Sequence, residues 1–257
     1  MSNRDTTPLL APGDLAAALG LLSRLPLPVD AGRAQARGAA AAWAYPVAGF
    51  VIAVAQALAG AVALALGLGP GISAGIVLAA GALLTGAMHE DGLADTADGL
   101  WGGWTRDRRL EIMKDSRIGV YGVLALVLSV LLRWQALSLV IAGGLLWPAL
   151  IAAGMLSRAS MVLLMGALPL ARPGGLSRSV GQPGRATVAL AAALAALGAL
   201  VLGGWGLVLI LVALLATAAM ATLARVKIGG QTGDILGATG QMVELSVFLT
   251  LAALLAS

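Results

Sequence analysis

The chain has 257 residues, of which 60% are hydrophobic and 11% charged, and its mean hydropathy is +0.95. Soluble domains carry roughly 25% charged residues, so the composition predicts an all-α protein embedded in a lipid bilayer. The lack of cysteine excludes disulfides and thiolate sites, and the single histidine excludes a multi-histidine metal centre. The net charge of +4 comes from scattered arginines rather than a basic face, so we predict no nucleic-acid binding.

Several apolar segments reach, or nearly reach, the length of about 20 residues that a membrane-spanning helix needs. They predict a polytopic helix bundle with about seven transmembrane helices, organised as a single integral membrane domain over residues 1–257. The segments are 40–66, 72–88, 119–141, 145–168, 186–202, 207–223 and 242–256. Arg133 and Arg158 fall inside two of these segments and require polar partners there.

Charged and uncharged connections alternate along the chain. The uncharged connections are 67–71, 142–144 and 203–206, whereas the connections at 24–37, 106–117, 172–185 and 225–227 carry the arginines and lysines. With seven spans every basic connection lies on one side, which the positive-inside rule identifies as the cytoplasm. We therefore predict a multi-pass protein of the bacterial inner membrane, whose cytoplasmic N-terminal segment 1–38 includes an interfacial helix.

Four of the twelve acidic residues follow the second predicted span directly, and they are Glu90, Asp91, Asp95 and Asp98. Asp91, Asp95 and Asp98 are spaced i, i+4, i+7, which puts them on one face of a helix. Carboxylates so close repel one another unless a cation neutralises them, and Mg²⁺ is commonly held by carboxylates and substrate phosphates together. A solvated acidic loop is the plain alternative, but the helical spacing and the membrane-edge position favour a Mg²⁺ site.

A glycine-rich connection at 229–238 precedes the last predicted span and supplies further candidates. We expect Asp234 to join the metal-binding carboxylates. Consecutive backbone N–H groups in a glycine-rich loop can face an anion, although such loops are also common as plain connections. On this basis the predicted substrate-binding residues are Gly230, Gln231, Thr232 and Gly233.

Residues 89–118 combine acidic and basic side chains, and we predict that they form a cytoplasmic catalytic segment. Lys114 and Arg117 are candidates for binding phosphate oxygens where the chain returns to the membrane. The group that accepts a proton is left open among His89, Asp98 and Asp115. Carboxylates for a metal beside basic groups for phosphate are what phosphoryl transfer requires.

The motifs together resemble those of the cobalamin synthase family, whose members are also called adenosylcobinamide-GDP ribazoletransferases. The blocks that carry the resemblance are SRLPLP at 23–28, YPVAG at 45–49, HEDGLADTADGL at 89–100, IMKDSRIGVYG at 112–122 and GGQTGDILGA at 229–238. They follow the family's order and cover nearly the whole chain.

The resemblance implies a Mg²⁺-dependent membrane enzyme with two substrates. Such enzymes join adenosylcobinamide-GDP to α-ribazole, or to its 5′-phosphate, and release GMP. The resemblance implies that Asp91, Asp95 and Asp98 hold Mg²⁺ against the diphosphate, assisted by Glu90 and Asp234.

Two other functions fit parts of the pattern. A transporter would also use several spans and intramembrane charges, but its acids would lie at mid-bilayer, and no inverted repeat is visible. A Mg²⁺-dependent phosphotransferase acting on a lipid alcohol is the second alternative. The sequence leaves a homo-oligomer open.

Overall fold

The computed structural model describes residues 8–257, and within this range the regular secondary structure consists of helices and one isolated β-bridge. Twelve α-helices follow one another: α1 Asp14–Leu22, α2 Ala31–Arg37, α3 Tyr45–Ala65, α4 Pro70–Thr85, α5 Met88–Gly102, α6 Arg106–Ile112, α7 Val120–Ala142, α8 Leu146–Ala167, α9 Leu176–Val180, α10 Arg185–Ala199, α11 Gly204–Ile228 and α12 Gly233–Ala256. Two 3₁₀ helices, Gly38–Ala44 and Leu200–Leu202, extend α2 into α3 and lengthen α10.

In the described part of the chain, six helical stretches are long and apolar enough to cross a membrane by themselves. They are Ala31–Ala65, Val120–Ala142, Leu146–Ala167, Arg185–Leu202, Gly204–Ile228 and Gly233–Ala256. Helices α4 and α5 meet the same test only together, as a pair bent by 89°. The total is six spans, or seven with the bent pair, so the prediction of an all-α polytopic bundle is confirmed.

The bend between α4 and α5 lies at two residues with left-handed backbone conformations. Gly86 has φ +63° and Ala87 has φ +55°, and a positive φ is strained for a residue with a side chain. The predicted span 72–88 therefore ends early, at Thr85, and Met88 already belongs to α5. Because of this turn, α5 runs across the end of α4 instead of continuing it.

One other predicted boundary also differs from the structure. The last span begins at Gly233 rather than 242, because the Thr232 side chain accepts a hydrogen bond from the Ile235 backbone N–H and caps the helix. The predicted catalytic segment 89–118 is divided between α5, which ends at Gly102, and α6, which ends at Ile112.

Helix α8 forms the centre of the bundle. In its most apolar 18-residue window 83% of the residues are buried, against 28–50% in the other spanning stretches. It packs mainly against α3, α10 and α12. The contact with α3 is made by backbone, since a Cβ on Gly49 would lie 2.2 Å from the Gly154 carbonyl oxygen. Small residues allow spanning helices to approach this closely, which lipid alone would not drive.

Helix α1 is fixed to the start of the first span by a buried carboxylate. Asp14 accepts hydrogen bonds from Arg37 Nε at 2.8 Å and from the Trp43 indole N–H at 2.8 Å. Burial by itself would raise the pKa of Asp14, but these bonds and one from the Ala11 backbone N–H outweigh burial and lower it. The ion pair therefore holds α1 against the residues that lead into α3.

Candidate active site

Helix α5 and the start of α12 meet backbone to backbone at two glycines. A Cβ on Gly92 would lie 2.9 Å from the carbonyl oxygen of Asp234, and a Cβ on Gly237 would lie 3.3 Å from the Cα of His89. Only residues without a side chain fit this contact. It brings Asp91, at the start of α5, beside Asp234, in the first turn of α12.

These two carboxylates line the same cavity, which has a volume of about 130 Å³. The other polar atoms at its wall come from Arg172, Ser177 and the glycine turn at Gly233. Its apolar wall is formed by side chains of α1, α3, α5 and α8, namely Leu21, Leu22, Tyr45, Met88, Met161 and Met165. A pocket with a few polar groups on an apolar wall is typical of a ligand site.

At the cavity several carboxylates surround one positively charged side chain, Arg172. Asp95, half-buried on α5, does not line the cavity itself, but it interacts electrostatically with Asp91, Asp234 and Asp98, and Arg172 opposes their charge. Arg172 Nη2 lies 3.2 Å from Asp234 Oδ2, whereas its Nη1 is buried without a hydrogen-bond partner in the described part of the chain. The cluster therefore has room for additional positive charge, and Arg172 retains a donor for an anion.

Arg172 is held in place by pairing between two loops. The Gln231 backbone N–H donates to the Pro169 carbonyl at 2.8 Å, and the Ala171 N–H donates to the Gln231 carbonyl at 2.9 Å. The Ser177 hydroxyl donates to the Gln231 side chain. The sequence assigned Arg172 only to membrane topology, because no local spacing connects it with an aspartate 62 residues away.

Of the four loop residues predicted to bind substrate, the structure brings only Gly233 to the cavity wall. Gly230 and Gln231 are buried in the loop pairing, where a Cβ on Gly230 would lie 2.3 Å from the Pro169 carbonyl oxygen. Thr232 caps α12 and donates its hydroxyl hydrogen to Asp234 Oδ2 at 3.1 Å. These three residues shape the wall and orient Asp234.

Asp98 connects α5 to the start of α7. Its carboxylate accepts the backbone N–H of Gly119 at 2.7 Å and that of Gly122 at 2.9 Å, and its side chain does not line the cavity. A carboxylate at a helix N-terminus satisfies unpaired backbone donors and stabilises the helix. The structure therefore gives Asp98 a capping function, and its metal-binding and proton-accepting roles stay predictions.

Glu90 faces the interior of the bundle rather than the cavity. Its Oε1 lies 3.6 Å from Arg133 Nη2 and accepts a 3.0 Å hydrogen bond from Gln241 Nε2. Glu244, on α12, lies 3.2 Å from Arg133 and 3.4 Å from Arg158. The two intramembrane arginines therefore have carboxylate partners, and the cluster joins α5, α7, α8 and α12.

His89 also lies in this interior cluster. Its ring is 1% exposed, and within residues 8–257 neither ring nitrogen has a hydrogen-bond partner. It lines an internal cavity of about 10 Å³ together with Glu90, Arg133 and Arg158. A space of about 10–15 Å³ holds roughly one water molecule, which could bridge these unpaired groups. The structure does not bring His89 to the cavity that contains Asp91.

The two basic residues predicted to bind phosphate oxygens lie outside the cavity as well. Lys114 and Arg117 are exposed, and neither lines the cavity. Arg117 is paired with its neighbour Asp115 at 2.7 Å, and its hydrogen bonds lower the pKa of Asp115 to about 2. A group with this pKa is a poor proton acceptor at neutral pH.

Two arginines of α6 have a structural function. Arg106 donates to the carbonyls of Ile228 and Ala171, and Arg109 donates to the Lys227 carbonyl at 2.9 Å. They satisfy carbonyl groups at the end of α11, where a positive charge is also favourable. This contact fixes α6 against the loop that carries Arg172.

The sequence matches the family model of cobalamin-5-phosphate synthase over residues 14–252. The chain belongs to this family. It is 48% identical over 231 residues to a protein of Bradyrhizobium diazoefficiens named adenosylcobinamide-GDP ribazoletransferase, with 88% of this chain and 89% of that protein covered. No solved structure matches the chain.

Two further relatives carry the same name. The protein of Mesorhizobium japonicum is 42% identical over 247 residues, which cover 95% of this chain and 94% of that protein. The protein of Brucella ovis is 43% identical over 258 aligned positions, with 93% of this chain and 96% of that protein covered. The family predicted from the sequence blocks is confirmed.

The carboxylates at the cavity are suited to binding Mg²⁺. Within residues 8–257 no three His, Asp or Glu side chains are already arranged as a metal cage. Mg²⁺ does not require one, because it keeps several waters and is commonly held by one or two carboxylates plus substrate phosphates. Asp91 and Asp234 on one wall, with Asp95 close by, are oxygen donors of the required kind.

Proposed function

We propose that the protein is an adenosylcobinamide-GDP ribazoletransferase. It transfers the adenosylcobinamide phosphate from adenosylcobinamide-GDP to a ribose hydroxyl that α-ribazole and α-ribazole 5′-phosphate both carry, and releases GMP. The names of relatives at 42–48% identity over most of the chain support this assignment.

The observation that carries the proposal is the meeting of Asp91, Asp234 and Arg172 at one cavity. These residues come from three separate parts of the chain, and the contact at Gly92 and the loop pairing at Gln231 bring them together. Carboxylates that can share a divalent cation with a diphosphate, beside a guanidinium that binds phosphate oxygens, match the donor substrate.

We assign Mg²⁺ to Asp91, Asp95 and Asp234, with the substrate diphosphate supplying further oxygens. When bound, the ion would neutralise charge on the diphosphate and on the departing phosphate. Arg172 would exchange its contact with Asp234 for one with the diphosphate, using the donor Nη1, which has no hydrogen-bond partner among residues 8–257. Asp234 would then be free to bind the ion.

The reaction replaces one phosphorus–oxygen bond by another. The acceptor hydroxyl oxygen bonds to the phosphorus attached to cobinamide, and the bond from that phosphorus to the GMP oxygen breaks. The hydroxyl proton passes to a carboxylate. None of the three proton acceptors predicted from the sequence, His89, Asp98 and Asp115, lines the cavity. We therefore assign this step to Asp91 or Asp234, through the carboxylate oxygen that the ion would leave free.

We further propose that the protein lies in the inner membrane of a bacterium and that the cavity opens toward the cytoplasm. The basic connections lie on the same side of the sequence-derived topology as the cavity residues, and the positive-inside rule assigns that side to the cytoplasm. Soluble nucleotide substrates would reach the site from there.

Purified protein in detergent tests the proposal directly. We expect GMP release that requires adenosylcobinamide-GDP, α-ribazole and Mg²⁺ together, and that stops when the metal is chelated. Asp91→Asn should lower kcat/KM by at least about 100-fold, a loss typical of removing one electrostatic group from an active site. GMP release that does not depend on α-ribazole would contradict the assignment, as would full activity of Asp91→Asn.

Asp107→Asn is the matched control for the Asp91 variant. Asp107 is on α6 with its side chain 92% exposed, and it lies outside the cavity lining. The substitution removes the same charge and keeps the same shape, so we expect unchanged turnover.

A further inference from the structure

A second cavity adjoins the first and has a different chemical character. Its volume is about 330 Å³, and it lies between α1, α2 with the following 3₁₀ helix, and α9. Leu21, Tyr45 and Val180 line both cavities, so the two spaces share a wall. A ligand that occupies both spaces must pass these three side chains.

The lining of the second cavity excludes a charged ligand. Among the described residues no Asp, Glu, Lys or Arg lines it, and half of the lining residues are alanines and a glycine. Gln35 contributes a side-chain amide, and Tyr45 and Ser179 are the lining residues with hydroxyl groups. A lining of small apolar residues with one tyrosine and few polar groups suits a planar aromatic group that needs few hydrogen bonds.

We propose that this second cavity binds the base of the acceptor substrate, an uncharged bicyclic aromatic ring, while the ribose passes the shared wall toward Asp91. The inference rests on the proposed function, which supplies an acceptor made of a dimethylated benzimidazole joined to ribose. The reacting ribose hydroxyl then enters the first cavity, where the diphosphate of the donor is bound.

The other ring systems of the reaction fit this space poorly. Guanine, and the adenine of the adenosyl group, have several donors and acceptors that a lining rich in alanine would leave unpaired, and desolvating unpaired polar groups is unfavourable. The corrin macrocycle with its amide arms is too large for about 330 Å³. The benzimidazole is the ring of the reaction that is both small and mostly apolar.

The floor of the cavity depends on a glycine. Gly38 has φ +47°, and a Cβ there would lie 2.6 Å from the Val180 carbonyl oxygen. A side chain at this position would push α9 away from the 3₁₀ helix, so Gly38 keeps the shared wall in place.

Filling the cavity tests the proposal. Ala34 on α2 lines it and is half-buried, whereas Ala36, two residues further along the same helix, is exposed and lies outside the lining. We expect Ala34→Leu to raise KM for α-ribazole at least tenfold while KM for adenosylcobinamide-GDP is unchanged. Ala36→Leu should behave as wild type. Ala17→Leu, on the α1 wall, repeats the test if the first variant folds poorly.

Equilibrium binding separates this proposal from the assigned reaction. Calorimetry with α-ribazole alone should detect binding to wild type and a loss of at least tenfold in Ala34→Leu. An analogue whose benzimidazole lacks the two methyl groups should lose less affinity, because it leaves more room for the leucine. Equal behaviour of the Ala34 and Ala36 variants, or a raised KM for the donor, would overturn the subsite even if wild type releases GMP. Absence of GMP release from wild type would instead overturn the assigned reaction.

Discussion

The two faces of α5 carry similar residues in very different surroundings. Glu90 and Asp91 are neighbours in the sequence, yet Glu90 points into the bundle and Asp91 into the cavity. Around Glu90 the charges balance, since two arginines face two glutamates in the described part of the chain. Around Asp91 they do not, because the carboxylates share one arginine. One face therefore holds the helix in place, and the other remains able to bind a cation.

The comparison shows how an active-site helix can be held rigidly while its carboxylates stay unneutralised. The buried ion pairs join α5 to three neighbouring helices, α7, α8 and α12. The cavity carboxylates repel one another, which destabilises the protein alone and favours binding of a divalent ion. The face of α5 that carries Glu90 therefore supports the site rigidly, and the face that carries Asp91 contains the repelling carboxylates.

The strongest test of this division compares Glu90→Gln with Asp91→Asn, because each removes one carboxylate charge with little change of shape. Glu90→Gln leaves two buried arginines with one glutamate, and we expect it to lower the free energy of unfolding by about 3 kcal/mol. Asp91→Asn relieves repulsion and should leave stability unchanged or slightly higher. Thermal loss of the helical circular dichroism signal in detergent measures both.

Glu90→Gln is expected to be the less stable of the two variants, but it should be the more active one when turnover is measured. Folded Glu90→Gln protein keeps the cavity carboxylates and should retain measurable GMP release, whereas folded Asp91→Asn protein should not. Equal destabilisation by the two variants would show that the faces of α5 do not differ in the way the distances indicate.

A smaller effect is expected from separating the two helices that carry the cavity carboxylates. A Cβ on Gly92 would lie 2.9 Å from the Asp234 carbonyl oxygen, so Gly92→Val must displace α12. We expect a loss of about 1–3 kcal/mol in stability, typical of overpacking, together with a marked loss of turnover. Weaker Mg²⁺ dependence of GMP release would locate the damage at the cavity.

Gly102→Ala is the control on the same helix. Its Cβ would meet Ile112 Cδ1 at 3.7 Å, an ordinary contact, so turnover and the melting temperature should stay near those of wild type. If Gly92→Val behaved like this control, close backbone contact would not be what brings Asp91 beside Asp234.

Most of the fold could be predicted because lipid leaves few choices. A backbone in hydrocarbon must satisfy its own hydrogen bonds, so apolar segments of sufficient length become helices. The helical spacing of the acids also predicted correctly that they lie on a helix. The break at Gly86 and Ala87 could not be predicted, because left-handed conformations of an ordinary Gly–Ala pair depend on tertiary contacts rather than on the pair itself.

The partners within the site could be predicted only in part. The sequence placed Asp91, Asp95 and Asp234 among the candidates, but it did not separate Glu90 from them. That distinction depends on Arg133, whose other partner Glu244 is 111 residues away, and on Gln241, which is 151 residues from Glu90. Arg172 likewise reaches Asp234 only through the pairing of two loops. Such contacts between distant segments have no local signature in one sequence.

The smallest effect is expected at Asp115, which belongs to neither face of α5. Hydrogen bonds from Arg117 lower its pKa from 3.8 to about 2, so its contribution to stability is present above pH 4 and is lost only as the pH falls through about 2. Between pH 5 and 9 it therefore stays ionised and does not titrate. We expect Asp115→Asn to change kcat/KM by no more than about twofold, as is typical of an exposed ion pair.

The pH profile of GMP release from Asp115→Asn should overlay that of wild type over this range. Loss of turnover in folded Asp115→Asn would mean that the loop between α6 and α7 enters the cavity during the reaction. The division between the faces of α5 would then be incomplete, because a carboxylate from outside the helix would complete the site. Overlaid profiles would instead leave Asp91, Asp95 and Asp234 as the carboxylates on which turnover depends.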